Sequence, residues 1–159
     1  MADLPNELLV AARSRIGSPF RNHYEQPTLC GGSLSRPECM RRGMNASGYD
    51  CSGFVIACMC DVLGMSTSRW PPGFRHLVQI AQKVVVKDNA DIGDIELMYE
   101  RPRGQRGMLH MGIVAADDVV IHASSAARKV TEGQVNAMPY REYIAPGALA
   151  GITGRARRP

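Results

Sequence analysis

What is scarce in this chain of 159 residues already excludes several classes of protein. Long apolar runs are missing: stretches such as Phe54 to Cys60 and Val84 to Val86 fall far short of the roughly 18 residues that carry a helix across a bilayer. Aromatic residues make up only 6% of the chain, with a single tryptophan. They are not interleaved with basic residues as in an RNA-binding surface, and neither a helix-turn-helix pattern nor a zinc-finger spacing is present, so nucleic acid is not expected as a ligand. No CxxC pair occurs, and Cys30, Cys39 and His23 supply at most three of the four ligands that a structural zinc needs. Neither a metal nor another cofactor is therefore expected. Lysine is scarce too: three lysines stand against sixteen arginines in a net charge of +4. The arginines group at Arg41 and Arg42, at Arg101, Arg103 and Arg106, and at Arg155, Arg157 and Arg158, and read as solvated faces. Only the group at 101 to 106 precedes His110 closely enough to line a cleft there.

A basic n-region and an unbroken apolar h-region are absent from the opening MADLPNELLVAARSR, which carries acids at Asp3 and Glu7. No secretory signal is visible in it, so the chain is expected to be cytoplasmic as synthesised, acting on a cell wall only if delivered or released. The 45% hydrophobic and 21% charged fractions are those of a globular protein, and the length suits one domain over 1–159, with a frayed tail at 154–159.

The pattern predicts helices first and strands afterwards. Residues 5 to 16 read as a helix with Pro5 in its first turn and Leu8, Leu9, Ala12 and Ile16 on one face, stopped by Gly17-Ser18-Pro19. The following stretch is rich in Gly, Pro, Ser, Asn and Arg, and 25–48 reads as an irregular insertion. Asp50 is a good N-cap for an amphipathic helix over Cys51 to Leu63, closed by Gly64, with Phe54, Val55, Cys58 and Val62 inward. A short helix after Trp70-Pro71-Pro72-Gly73 carries Phe74, Leu77, Val78 and Ala81. Strands are expected at Val84 to Val86, Ile95 to Tyr99, Leu109 to Ala115, Val119 to Ala123 and Tyr140 to Ile144, with a tight hairpin at Asp117-Asp118. This order predicts an α+β domain with an antiparallel sheet.

Five cysteines leave at least one thiol unpaired. Cys58 reads as core and Cys60 as pointing elsewhere, toward solvent; Cys30 and Cys39 are expected as thiols unless the protein reaches an oxidising compartment. Cys51 differs from the rest because it opens a helix, where unpaired N–H groups and the helix dipole favour an anion and are expected to lower its pKa. Downstream, His110 and His122 lie on adjacent strands that pair through the turn at 117 and 118. A thiol, a histidine that exchanges protons with it and a third polar group that orients that histidine are the parts of a cysteine nucleophile.

The strings YDCSGF at 49 to 54, HMGIV at 110 to 114 and VIHAS at 120 to 124, with RIGSPFR at 15 to 21 and the Gly93-Asp94 step, resemble the NlpC/p60 family of papain-like cell-wall peptidases. The resemblance runs from about residue 8 to 124 and implies a circularly permuted papain-like fold, its nucleophile helix packed on an antiparallel sheet. It implies hydrolysis of peptidoglycan stem peptides, commonly after a D-glutamyl residue, with Cys51 as nucleophile, His110 as base and His122 as the orienting third member. The backbone N–H of Cys51 would serve an oxyanion hole, Asp50 and Ser52 flank the nucleophile on the substrate side, and in some members that acid helps hold the free amine of the stem peptide. Family members usually carry tyrosine where this chain has Phe20, so the substrate-binding hydroxyl is expected from Tyr24 or Tyr49, or is absent.

Two rival readings remain: a thiol acyltransferase or amidase of the same permuted fold, and a non-catalytic binding module that keeps the constellation without turnover. A delivered toxin would also require an immunity or inhibitor partner, although no residue argues for one.

Overall fold

The first helix, α1 (Leu4–Arg13), is started by Asp3, whose carboxylate accepts from the backbone N–H and side-chain amide of Asn6, with Pro5 in the first turn where no backbone donor is needed. Leu8, Leu9 and Ala12 are its buried residues. The computed structural model describes residues 3–21, 48–64, 87–102 and 109–148. The helix is shorter than the periodicity suggests: it ends at Arg13, residues 14 to 17 form turns, and Ile16, expected on the inner face, is exposed.

The second helix, α2 (Cys51–Leu63), has the bounds expected from its caps, with Asp50 at one end and Gly64 in the left-handed conformation at the other. It is not amphipathic. Every residue from Ser52 to Cys60 is buried, because α1 covers one side and the sheet another. Cys60, expected to face solvent, is therefore buried as deeply as the rest of the helix, and Cys58 lies in the core as expected.

Five strands follow: β1 (Ile95–Tyr99), β2 (Leu109–Ala116), β3 (Val119–Ser124), β4 (Lys129–Gly133) and β5 (Tyr140–Ile144). All neighbours are antiparallel, in the order β4-β3-β2-β1-β5. The β2–β3 connection is the tight turn at Asp117 and Asp118, with Asp118 at positive φ. β4 escaped the sequence pattern because Lys129, Glu132 and Gly133 are poor strand formers. Its register with β3 brings Val130 opposite Ala123 and into the core.

Alternation sorts the sheet. Ile95, Leu97 and Tyr99 of β1, Met111, Ile113 and Ala115 of β2, and Ile121 and Ala123 of β3 join the helices in one apolar core. The alternate positions include Glu96, Met98, His110, Gly112 and His122. Arg141 ties the outer parts of this arrangement together, bonding Asp118 at 2.6 Å and the Val135 and Met138 carbonyls, with its guanidinium 3.7 Å from the buried Glu96. Burial pushes the Glu96 carboxyl up, and Arg141 opposes that shift. Both sheet edges are blunted by short pairings: Pro19 bridges to Lys129 beside β4, and Lys87 to Tyr143 beside β5.

Among the described residues no helix is long and apolar enough to cross a membrane. Of the expected 25–48 insertion all but Gly48 lies outside the described residues, as do the helix after Gly73, the strand at Val84 to Val86 and the 154–159 tail.

Phe54 is fully buried at the centre of this core. Phe54→Ala is expected to lower unfolding free energy by about 3–5 kcal/mol in urea titrations, through lost burial and the cavity left behind.

Candidate active site

The first turn of α2 is set by Asp50, whose Oδ1 accepts from the Gly53 N–H at 2.7 Å and from the Ser52 hydroxyl at 3.4 Å. This cap consumes the carboxylate oxygen locally and points the start of the helix, and hence Cys51, at the sheet. Cys51 is half-buried, and its sulfur is approached by the backbone N–H groups of Ser52, Met111 and Cys51 itself. Met111 follows His110 directly in β2, so the thiol lies alongside the strand where the first histidine stands.

His110 and His122 meet. Nε2 of His110 is 2.7 Å from Nδ1 of His122, the rings lying nearly perpendicular with centroids 4.9 Å apart. His122 is buried, 7% exposed, and His110 is half-buried. Among the described residues, hydrogen bonds join the two imidazoles to each other and do not join either to the thiol.

The segment 17 to 21 clamps this corner. The N–H of Gly17 and the carbonyl of Ser18 pair with Val130 of β4, while Tyr49 donates to the Pro19 carbonyl and Arg21 to the Tyr49 carbonyl, each at 3.0 Å. Gly48 has φ +135, and a Cβ there would stand 2.3 Å from the Pro19 oxygen, so only glycine admits the clamp. Tyr49, expected to offer its hydroxyl to substrate, turns it to α1: the hydroxyl accepts from Arg15 Nε at 3.2 Å, and the ring lies edge-on to Phe54 at 6.2 Å. Arg15 also bonds Ala11 and pairs with Asp61 near the far end of α2. The partly buried Phe20 packs on the core and bridges to Tyr49. Arg15 was not singled out from the sequence, although it sits in the RIGSPFR string. Tyr24, Cys30, Cys39, His23, Arg103 and Arg106 lie outside the described residues.

The three motif strings thus converge on one corner, where a helix N-terminus meets the β2–β3 pair. A sequence profile of the NlpC/P60 family matches residues 39–146, which include all three. The chain belongs to the NlpC/P60 family. Solved structures of the NlpC/P60 type agree in fold. The NlpC/p60 domain of the peptidoglycan hydrolase SagA is 21% identical, with a TM-score of 0.55 over 88% of this chain and 97% of that one. The peptidoglycan hydrolase RipB from Mycobacterium tuberculosis is 24% identical, with a TM-score of 0.56 over 89% of this chain and 64% of its own. An N-acetylmuramoyl-L-alanine amidase from Bacteroides uniformis is 14% identical, with a TM-score of 0.58 over 87% of this chain and 97% of that one. A comparison with curated proteins returns no match. The architecture is the papain-like one of these structures, helices packed on a five-stranded antiparallel sheet, as the resemblance implied.

The electrostatics of this NlpC/P60 site differ from the sequence expectation. Burial, and then the Asp50 carboxylate, push the Cys51 thiol up to about 12, against the smaller opposing pull of the backbone N–H groups. The helix start does favour the thiolate, but it does not outweigh desolvation. Burial, and then His122, lower the His110 imidazole to about 4, and burial lowers His122 as well. These shifts favour a neutral thiol and neutral imidazoles over a thiolate–imidazolium pair. Among the described residues no three His, Cys, Asp or Glu side chains group as metal ligands.

Two pH dependences are expected. Iodoacetamide alkylation of Cys51 should accelerate with pH up to 9 without an acid plateau; a plateau between pH 5 and 7 would show a preformed thiolate. For His110 the folded value, about 4, lies below the unfolded 6.5, so the unfolded chain binds more protons between them. Unfolding free energy in urea should be complete above pH 6.5 and fall toward pH 4, less steeply in His110→Phe.

Proposed function

We propose that this chain is a cysteine hydrolase that cuts an amide bond in peptidoglycan stem peptides, after a D-glutamyl residue, with Cys51, His110 and His122 as its working groups. The contact that carries this reading is the 2.7 Å approach of His110 to His122 at the start of the Cys51 helix, in a chain of the NlpC/P60 family. Peptidoglycan hydrolases among the solved structures of like fold support the substrate class.

The tautomers follow from the contact. His110 Nε2 faces a ring nitrogen of His122, so in this reading Nδ1 is the nitrogen left to exchange a proton with the thiol. To take the thiol proton, Nδ1 must carry the lone pair, so Nε2 bears the hydrogen and donates it to Nδ1 of His122. His122 is then the Nε2–H tautomer, and it stabilises the imidazolium that forms on His110 through a lone pair, not through a negative charge.

From a neutral resting pair, the proton moves as the nucleophile attacks. The thiol proton passes to His110, the sulfur–carbon bond forms, and the carbonyl electrons move to oxygen, where the Cys51 backbone N–H donates. His110 then protonates the leaving amine as the carbon–nitrogen bond breaks, and water hydrolyses the thioester by the reverse proton path. Asp50 and the hydroxyl of Tyr24 are assigned to the substrate side, with the free amine of the stem peptide drawn by the Asp50 carboxylate; the Ser52 hydroxyl is buried against Asp50 and the Tyr49 hydroxyl is held by Arg15. One feature favours the binding-module alternative: Phe20 brings no hydroxyl to the place where the family usually has tyrosine.

Cys51→Ala is expected to reduce cleavage of a muropeptide by on the order of 10³-fold or more while near-ultraviolet circular dichroism stays unchanged. Undiminished cleavage by this variant would sink the hydrolase mechanism, and tight muropeptide binding without turnover by the unaltered chain would favour the binding module.

A further inference from the structure

The β2–β3 ladder is short. Its paired residues are Ile113↔Ile121, Val114↔Val120 and Ala116↔Val119; beyond Ile113 the β2 residues pair with β1, and beyond Ile121 the β3 residues pair with β4. Continuing the register by one step sets Gly112 opposite His122 and makes His110 and His122 diagonal neighbours. Diagonal residues on adjacent strands normally lie about 7–8 Å apart, a span two aromatic side chains can bridge with their rings crossing the position between them. That position is Gly112. A Cβ there would stand 3.1 Å from the Cβ of His122, 2.8 Å from the Ile121 carbonyl oxygen and 3.4 Å from the Cβ of Val120. Directly opposed Cβ atoms normally lie about 4.5–5.5 Å apart, so the strands approach here more closely than two side chains permit.

We infer that Gly112 is a positioning residue: its missing side chain lets the His122 imidazole lie across the end of the β2–β3 ladder and reach His110. The glycine acts through His122 and touches no reacting atom. Its backbone φ is ordinary, so its conformational freedom is not what the position requires; the requirement is space. The inference rests on the hydrolase reading only where activity is the readout.

The test is Gly112→Ala, read in two ways. By NMR, the unaltered protein should show a hydrogen-bonded imidazole N–H shared by His110 and His122, and in the variant that signal should vanish. In muropeptide hydrolysis, kcat should fall on the order of 100-fold with KM within about twofold, the size of loss that small misplacements produce. In a His122→Ala background the same substitution should cost almost nothing further, because its route is already gone. An unchanged imidazole signal in Gly112→Ala, or an equal loss of kcat in both backgrounds, would overturn the inference. Should Gly112→Ala alone not fold, it is combined with His122→Gly. Recovery of the fold assigns the clash to His122, whereas failure in both assigns it to the Ile121 carbonyl and overturns the inference. If the unaltered chain hydrolyses nothing yet the imidazole signal is present and lost in Gly112→Ala, the hydrolase reading fails and the role of Gly112 stands.

Discussion

The burial of α2 is the constraint on which the remaining structure depends. A thirteen-residue helix whose only charged side chain is Asp61 has no polar face to offer water, so it must be covered on nearly every side. α1 and the sheet provide that cover, and residues from both helices and all five strands share one core. Each fully buried Phe or Ile contributes about 1.5–3 kcal/mol relative to exposure, which fixes the helix in depth and rotation far more firmly than any polar contact at its ends. The position of Cys51 beside Met111 follows, because the cap at Asp50 starts the helix at that residue and the core decides where the start lies.

The same burial sets the charge state of the site. Taking a thiol and two imidazoles out of water favours their neutral forms, and here that outweighs the dipole and N–H donors of the helix start. A carboxylate in place of His122 would pull His110 toward imidazolium; the neutral His122 contacts the ring without doing so.

Polar ties at the periphery hold the corner in register. The Arg15–Asp61 pair is worth little as an ion pair, since Asp61 is 58% exposed, but the same guanidinium spans Ala11, Tyr49 and α2 and so restrains the residues just before Cys51. Segment 17 to 21, pairing with Tyr49 on one side and β4 on the other, joins the Cys51 side of the site to the histidine side of the sheet.

Much of this was legible in the sequence. The bounds of α2 followed from an Asp cap and a closing Gly, and the strands carrying both histidines followed from β-branched runs broken by Asp117-Asp118, because these signals are local and act through the backbone of a few neighbouring residues. Membership of the NlpC/P60 family was likewise carried by the order and spacing of the motif strings. What only the tertiary structure decided depends on residues distant in the chain: that β4 joins the sheet despite weak propensity, that Cys60 and the whole of α2 are buried, that Tyr49 turns its hydroxyl to Arg15, and that desolvation overrides the helix dipole at Cys51. Burial is a property of everything that packs around a group, so no window of sequence reports it. The 2.7 Å contact of His110 with His122 belongs to both levels, since the sequence determined which strands carry the imidazoles and only the close approach at Gly112 decided that they touch.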